Sequence, residues 1–143
     1  NRNGELLLQQ RSDTKYHSAG LWTNTCCSHP QFGEDIPDAI KRRLWEEMKL
    51  KCETSFAFSF QYKSRFENGL IEHEYDHVYF GFSDDIPSPD EAEVKSWKYM
   101  SLQSVEADIA RQPEAYTTWL SICLPLVKNH LQNLRERNVH KAA

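Results

Sequence analysis

The chain has 143 residues, with 17 Lys and Arg against 21 Asp and Glu, a formal charge of −4 and a mean hydropathy of −0.72. This length predicts one domain over residues 1–143 that can bury a core without metal or disulfide support. The acidic balance argues against nucleic-acid partners, and no apolar stretch approaches the ~20 residues of a membrane span. We therefore expect neither a nucleic acid nor a membrane as a partner. That the protein is a monomer is a separate expectation, which the charge does not decide.

Four cysteines are too few for a disulfide scaffold, so reduced thiols in a cytoplasmic protein are expected. The sequence begins at Asn1 without a Met and enters an apolar run within a few residues. We expect that an N-terminal segment of the natural protein is missing, which leaves an organellar targeting peptide open as an alternative.

The first half of the chain predicts a strand, a long loop and a helix. Alternation favours a short strand over Glu5 to Gln10. The polar stretch from Arg11 to Gly33 has no period, and loops of this length in compact domains are usually functional. Apolar residues then recur every four positions, which predicts an amphipathic helix from Asp35 to Leu50 with Asp35 as its cap.

The second half predicts a hairpin, another strand and two helices. A strand through Phe56 and Tyr62 ends before the turn signal Glu67-Asn68-Gly69, and the return strand is Leu70 to Phe82. On that strand the alternation places three carboxylates on one face, those of Glu72, Glu74 and Asp76, and His73 and His77 on the other. The remaining predicted elements are a strand from Glu93 to Met100, a helix capped by Ser101 and ending at Ala110, and a helix from Pro113 to Arg137. This order predicts an α/β fold with a mixed sheet.

Two Arg–Glu pairs share a face of the first helix, Arg42 with Glu46 and Arg43 with Glu47. Taken alone, they are most often a solvated surface with weak ion pairs. Taken with the preceding Ser28 and Glu34, however, the segment resembles the Nudix box, a loop-helix-loop that holds a divalent metal against a diphosphate. Arg43 stands where the box has a Glu, a change that removes a metal-ligating carboxylate and adds a phosphate-binding cation.

The stretch Trp22-Thr23-Asn24-Thr25-Cys26-Cys27-Ser28-His29-Pro30 overlaps the start of this box. Followed by Tyr62 and by Glu72-His73-Glu74, it resembles the type I isopentenyl-diphosphate isomerases, and the resemblance covers nearly the whole chain. It implies a Nudix-like α/β/α sandwich with a mixed central sheet.

The resemblance also implies roles for individual residues. The catalytic residues would be Cys27, Glu74 and Tyr62, with Cys26 left in the core. The metal ligands would be His29, Glu72 and Glu74 for one divalent ion (Mn2+, Zn2+ or Mg2+), and Glu47 for a Mg2+ that bridges the diphosphate. The substrate contacts would be Arg11, Lys15, Ser28, Arg43 and Trp119.

Each of these residues also has a plainer interpretation. Cys27 could be a small buried apolar residue, Arg11 and Lys15 surface charge, and Trp119 core packing. The family's metal site needs two further histidines before the first strand, which this sequence does not contain. His17, His73 and His77 do not match those positions, and we interpret them as structural or surface residues.

The function expected from the resemblance is the isomerisation of isopentenyl diphosphate to dimethylallyl diphosphate, with Glu74 as the first proton donor and Cys27 on the opposite face. A Nudix pyrophosphohydrolase of nucleoside diphosphate derivatives is the alternative, although it needs a carboxylate where Arg43 stands. A noncatalytic binding module is a third possibility.

Overall fold

The computed structural model describes the backbone of residues 1–65 and 69–141, and the side chains of these residues through 136. The strands and helices, in chain order, are β1 (Glu5–Arg11), β2 (Trp22–Asn24), α1 (Ile36–Met48), β3 (Thr54–Arg65), β4 (Ile71–Gly81), β5 (Val94–Ser101), α2 (Leu102–Arg111), a 3-10 turn (Pro113–Ala115) and α3 (Thr118–Lys141).

The first sheet has the order β2-β1-β5, and both of its pairings are antiparallel, whereas a mixed sheet was expected. Parallel pairing is seen in the described residues at the isolated bridge between Trp22 and Tyr116. Leu7 and Leu8 on the central strand point to opposite faces, as alternation in a strand requires. Leu7 packs into a cluster with Leu44 and Met48 of α1, whereas Leu8 packs with Val105 of α2 and with residues of α3. The sheet is therefore covered by helices on both faces, which is the expected α/β/α layering.

The second sheet is the hairpin of β3 and β4, in which Tyr62 pairs with Glu74 and Phe60 with Asp76. The predicted alternation on β4 is confirmed, because Glu72, Glu74 and Asp76 are half-buried while their neighbours are exposed. The predicted turn residues Glu67 and Asn68 lie outside the described residues.

Helix α3 packs against both sheets. Leu120 and Leu124 join the cluster around Leu8, whereas Trp119 and Cys123 join a second cluster with Phe60 and other residues of β3. The predicted helix start at Pro113 is wrong, because a 3-10 turn and an extended segment precede Thr118. The cause is tertiary pairing: Thr117 donates its N–H to the Trp22 carbonyl, and Tyr116 forms a parallel bridge with Trp22.

Two predicted helix caps had different outcomes. The Ser101 side chain accepts a hydrogen bond from the Ser104 N–H at the start of α2, as predicted. Asp35 occupies the N-cap of α1 but makes no capping bond with its side chain. None of the helices in the described part of the chain combines the length and the apolar character needed to cross a bilayer.

Candidate active site

One cavity of about 170 Å³ collects most of the side chains singled out from the sequence. It is lined by Arg11, Lys15, His17, Cys27, Ser28, His29, Arg43, Tyr62, Glu72, Glu74 and Trp119. Every predicted catalytic and substrate-binding residue is in this set, and Glu47 is the one predicted site residue that is not.

The loop after β2 is held by two side-chain amides. Asn24 donates its Nδ2–H to the Cys26 carbonyl at 2.7 Å and accepts the indole N–H of Trp119 at 3.1 Å. Gln9 donates to the Thr25 carbonyl at 2.9 Å. These bonds fix the backbone just before the cysteine pair and between its two residues, and Asn24 ties the loop to α3.

The two adjacent thiols therefore enter different surroundings. Cys26 packs against the cluster that contains Leu44 and Met48, whereas Cys27 packs against the cluster of Tyr62 and Trp119 and borders the cavity. Burial raises the pKa of the Cys27 thiol well above its usual range, and the carboxylates of Asp76 and Glu74 raise it further. Cys27 consequently carries its proton at neutral pH.

The carboxylates of β4 face this thiol from the second sheet. The Tyr62 hydroxyl donates to Glu72 Oε2 at 2.9 Å and lies 3.3 Å from Glu74 Oε2, so one phenol joins the two carboxylates. Asp76, the next residue on the same face, is hydrogen-bonded to Glu74, and burial raises the pKa of its carboxyl from 3.8 to about 6.

Two histidines meet these carboxylates in separate pairs. His29 Nε2 lies 3.1 Å from Glu74 Oε1, and His17 Nε2 lies 3.2 Å from Glu72 Oε1. The placement of His17 in the cavity was not expected from the sequence. Its ring also packs edge-on against Trp119, with ring centroids 5.9 Å apart.

The chemistry of this donor set fits a divalent ion, because imidazole and carboxylate are ordinary ligands of such ions. Within the described residues, no three His, Cys, Asp or Glu side chains are already gathered round one point. Binding would therefore have to draw the two pairs together.

Two cations that line the cavity, Lys15 and Arg43, are paired with carboxylates outside its lining. Arg43 donates to Glu46 at 2.7 Å and to Glu47 at 2.5 Å, and its Nη2 lies 3.3 Å from Glu93 Oε2. Lys15 binds the same Glu93 oxygen. The Arg43 Nε–H is buried without a hydrogen-bond partner among the described residues.

Glu47 lies behind Arg43 rather than on the cavity surface. Its side chain is 4% exposed, and its second carboxylate oxygen accepts a hydrogen bond from Gln9 Nε2 at 2.7 Å. Both of its oxygens thus already have protein donors. Its role as a Mg2+ ligand stays a prediction, and binding an ion there would require exchange of these partners.

Arg11 links the loop to the aromatic wall of the cavity. Its guanidinium donates to the carbonyls of His17 and Ser18 and lies over the Trp119 ring, 5.3 Å from the ring centroid. Trp119 is 4% exposed, so it both packs in the core and borders the cavity.

Sequence reasoning did not identify three of the residues that shape this site: Gln9, His17 and Glu93. Gln9 is buried although it is polar, but it lies in the polar half of β1 beside Gln10 and Arg11, so the sequence does not mark it out. His17 and Glu93 lie outside any periodic pattern, and only the folded chain brings them to the cavity.

Comparison with known proteins places these features in a family. The family described as NUDIX domain matches residues 1–120. The chain is 50% identical over 127 residues to isopentenyl-diphosphate Delta-isomerase 2 of Aromatoleum aromaticum, covering 87% of this chain and 66% of that protein. It is 45% identical over 132 residues to the isopentenyl-diphosphate Delta-isomerase of Pectobacterium atrosepticum, covering 92% of this chain and 74% of that protein.

Solved structures agree on the fold. A crystal structure of a protein from Deinococcus radiodurans has a TM-score of 0.72 at 22% identity and covers 86% of this chain and 74% of that one. The structure of a MutT Nudix hydrolase from Burkholderia pseudomallei matches with a TM-score of 0.68 at 20% identity. The match covers 87% of this chain and 89% of the hydrolase chain. The predicted Nudix-like α/β fold is thereby confirmed. The chain belongs to the Nudix superfamily and, within it, to the isopentenyl-diphosphate Delta-isomerase family.

Proposed function

We propose that this chain catalyses the interconversion of isopentenyl diphosphate and dimethylallyl diphosphate, the activity named for its relatives. The observation that carries the proposal is the meeting of Cys27 and Glu74 in one cavity. Cys27 comes from the loop that follows β2, and Glu74 comes from the separate β3–β4 hairpin. A 1,3-proton shift requires two proton-transferring groups on opposite faces of the substrate, and these two side chains reach the cavity from separate parts of the fold.

The reaction adds a proton to the terminal methylene carbon and removes one from the methylene carbon on the other side of the double bond. The C=C bond moves by one position and the diphosphate remains attached. Because an alkene is a very weak base, the transition state has tertiary-carbocation character and must be kept from water. An acid and a base on opposite faces of the hydrocarbon are therefore needed.

Cys27 and Glu74 supply this pair. The buried thiol begins protonated, and Tyr62 orients the carboxylate of Glu74 from the other side. We therefore propose Cys27 as the donor of the first proton and Glu74 as the acceptor of the second, which reverses the order expected from the resemblance. Because the reaction is reversible, each group acts as an acid in one direction and as a base in the other. The faces of Trp119 and Tyr62 border the same space, where an aromatic ring stabilises a passing positive charge.

The diphosphate is anchored by polar and charged side chains that line the cavity. Arg11, Lys15 and Arg43 provide cations, and Ser28 provides a hydroxyl. Fixing the diphosphate places the five-carbon tail between the two proton-transferring groups, which lowers the entropic cost of reaching the transition state.

Enzymes of this family generally use divalent metal. We propose that His29, Glu72 and Glu74 hold one ion, Mn2+, Zn2+ or Mg2+, and that Glu47 holds a Mg2+ beside the diphosphate. When bound, these ions supply positive charge that tunes the proton affinity of Glu74 and neutralises the diphosphate.

Pyrophosphate hydrolysis is the second candidate, because the fold is shared with a MutT hydrolase. Against it stands Arg43, which occupies the position of a Nudix-box carboxylate and neutralises Glu46 and Glu47. This exchange of charge weakens metal-assisted attack of water and favours retention of an intact diphosphate.

The deciding experiment follows isopentenyl diphosphate by proton NMR with Mg2+ and Mn2+ present. Isomerisation predicts the methyl signals of dimethylallyl diphosphate and no release of inorganic phosphate or pyrophosphate. Phosphate or pyrophosphate release from a nucleoside diphosphate panel would instead support hydrolysis, and neither product would support a binding module.

A further inference from the structure

Glu93 contacts both Lys15 and Arg43 although it is not itself a predicted site residue. Its Oε2 atom accepts from Lys15 Nζ and lies 3.3 Å from Arg43 Nη2. Lys15 belongs to the loop after β1, and Arg43 belongs to α1. A single carboxylate oxygen thus bridges two cations that reach the cavity from unrelated segments.

The backbone of Glu93 is itself fixed. Its N–H donates to the Asp90 carbonyl, and its own carbonyl accepts the N–H of Ser12, both at 3.0 Å. The next residue, Val94, is 1% exposed at the start of β5. The carboxylate is therefore carried by a rigid point in the fold, and the same residue holds the loop that bears Lys15.

The two cations depend on this contact to different degrees. Arg43 has further partners in Glu46 and Glu47, which keep its guanidinium in place. Lys15 has a long flexible side chain, and its ion pair with Glu93 fixes where the ammonium lies. Loss of Glu93 should therefore act mainly through Lys15.

We propose that Glu93 is a positioning residue. It holds the charged groups of Lys15 and Arg43 side by side, where both can bind the diphosphate group. This inference rests on the proposed function, because it takes the cavity to be a diphosphate site. Glu93 touches neither the substrate nor the reacting carbons in this scheme; it acts through the two cations.

The sign of the effect distinguishes this role from simple electrostatics. Removal of a negative charge beside an anion site strengthens anion binding if the charge acts only at a distance. Removal of a positioning group weakens binding, because the cations must then be ordered when the ligand arrives. Glu93→Gln changes the charge while nearly preserving the shape.

The test is calorimetric titration of inorganic pyrophosphate, with Mg2+ present, into wild type and into Glu93→Gln. The control variant is Glu91→Gln, because Glu91 lies two positions before Glu93 and its side chain is exposed. We expect about a tenfold weaker affinity in Glu93→Gln and no change in Glu91→Gln. With isopentenyl diphosphate, KM should rise by a similar factor while kcat stays within about twofold. Unchanged or tighter pyrophosphate binding in Glu93→Gln would overturn the proposal.

A double-mutant cycle keeps the test valid if Glu93→Gln is less stable. In a Lys15→Met background, the main partner of Glu93 is already gone. The decrease in the logarithm of pyrophosphate affinity caused by Glu93→Gln should therefore be less than half of the decrease seen in wild type. Full additivity would contradict action through Lys15. If wild type binds pyrophosphate but does not isomerise, the proposed function fails while the role of Glu93 still stands or falls on the titration.

Discussion

Cys26 and Cys27 are neighbours in the chain, yet their side chains belong to different clusters of the core. Cys26 packs with Leu44 and Met48 on the α1 side of the first sheet, and Cys27 packs with Trp119 beside the cavity. The backbone between strand and helix thus separates two thiols that sequence alone cannot tell apart.

Replacement of each cysteine by Ala should therefore have different effects. Cys27→Ala removes one of the two proton-transferring groups, so we expect kcat to fall by at least about 10³-fold while pyrophosphate affinity stays nearly unchanged. Cys26→Ala should retain most of its turnover. The comparison is made by NMR assay and calorimetry on both variants, and equal turnover in the two would show that the wrong thiol had been assigned.

Tyr62→Phe removes the hydroxyl that joins Glu72 and Glu74. We expect kcat to fall by about 10²-fold, because Glu74 loses the donor that orients it, with KM little changed because the diphosphate contacts lie elsewhere. Loss of the hydrogen bonds should cost about 1 kcal/mol in free energy of unfolding. Tyr75→Phe, on the exposed face of β4, is the matched control. A wild-type kcat in Tyr62→Phe would contradict this role.

Acid stability should depend on Glu34, whose carboxylate accepts from Arg42 Nε at 2.7 Å and from Arg42 Nη2 at 2.8 Å. These hydrogen bonds, with one from the Gln31 N–H, lower the pKa of Glu34 from 4.5 to about 2. A lowered pKa in the folded state stabilises the fold above the unfolded pKa, and this contribution is lost as the pH falls through the folded pKa.

The free energy of unfolding of Glu34→Gln should therefore be below that of wild type at pH 7, and the difference should shrink as the pH falls from 4.5 to about 2. Urea unfolding followed by tryptophan fluorescence at several pH values measures it. A difference that stays constant across this range would argue against a titrating ion pair at Glu34.

Met48→Ala should test the packing beneath α1. The Met48 side chain is fully buried in the cluster with Leu44 and Val94. We expect a loss of about 2–5 kcal/mol in free energy of unfolding, because the cavity left behind cannot fully collapse. Ile86→Ala, at a residue that is 82% exposed, should change it by less than about 0.5 kcal/mol. Similar losses in the two variants would contradict the assigned core.

Patterns with a clear period could be read from the sequence. The four-residue spacing in α1 and the alternation on β4 predicted both elements, together with the shared face of Glu72 and Glu74. Strand β2 was missed because a strand of three residues is too short to show a period. The start of α3 was misplaced because the pairing of Tyr116 with Trp22 overrides local helix preference.

The same limit applies to the site. The motif around Cys27 and the pair on β4 could be found by resemblance, since their spacing is local. His17 reaches Glu72 across 55 residues of sequence, and Glu93 reaches Lys15 across 78. Such side chains are brought together only when the chain folds. No local sequence pattern in either segment predicts these contacts.

Helix α3 carries neither of the two groups proposed above to transfer protons, yet it contacts both sheets. Leu120 and Leu124 pack on the first sheet, while Trp119 and Cys123 pack on the second, so this one helix braces the two sheets against each other. Exchange of bulk for small side chains along α3 would move the hairpin relative to the cysteine loop. Such changes would alter the shape of the cavity without altering any residue that lines it from the cysteine loop or from the hairpin.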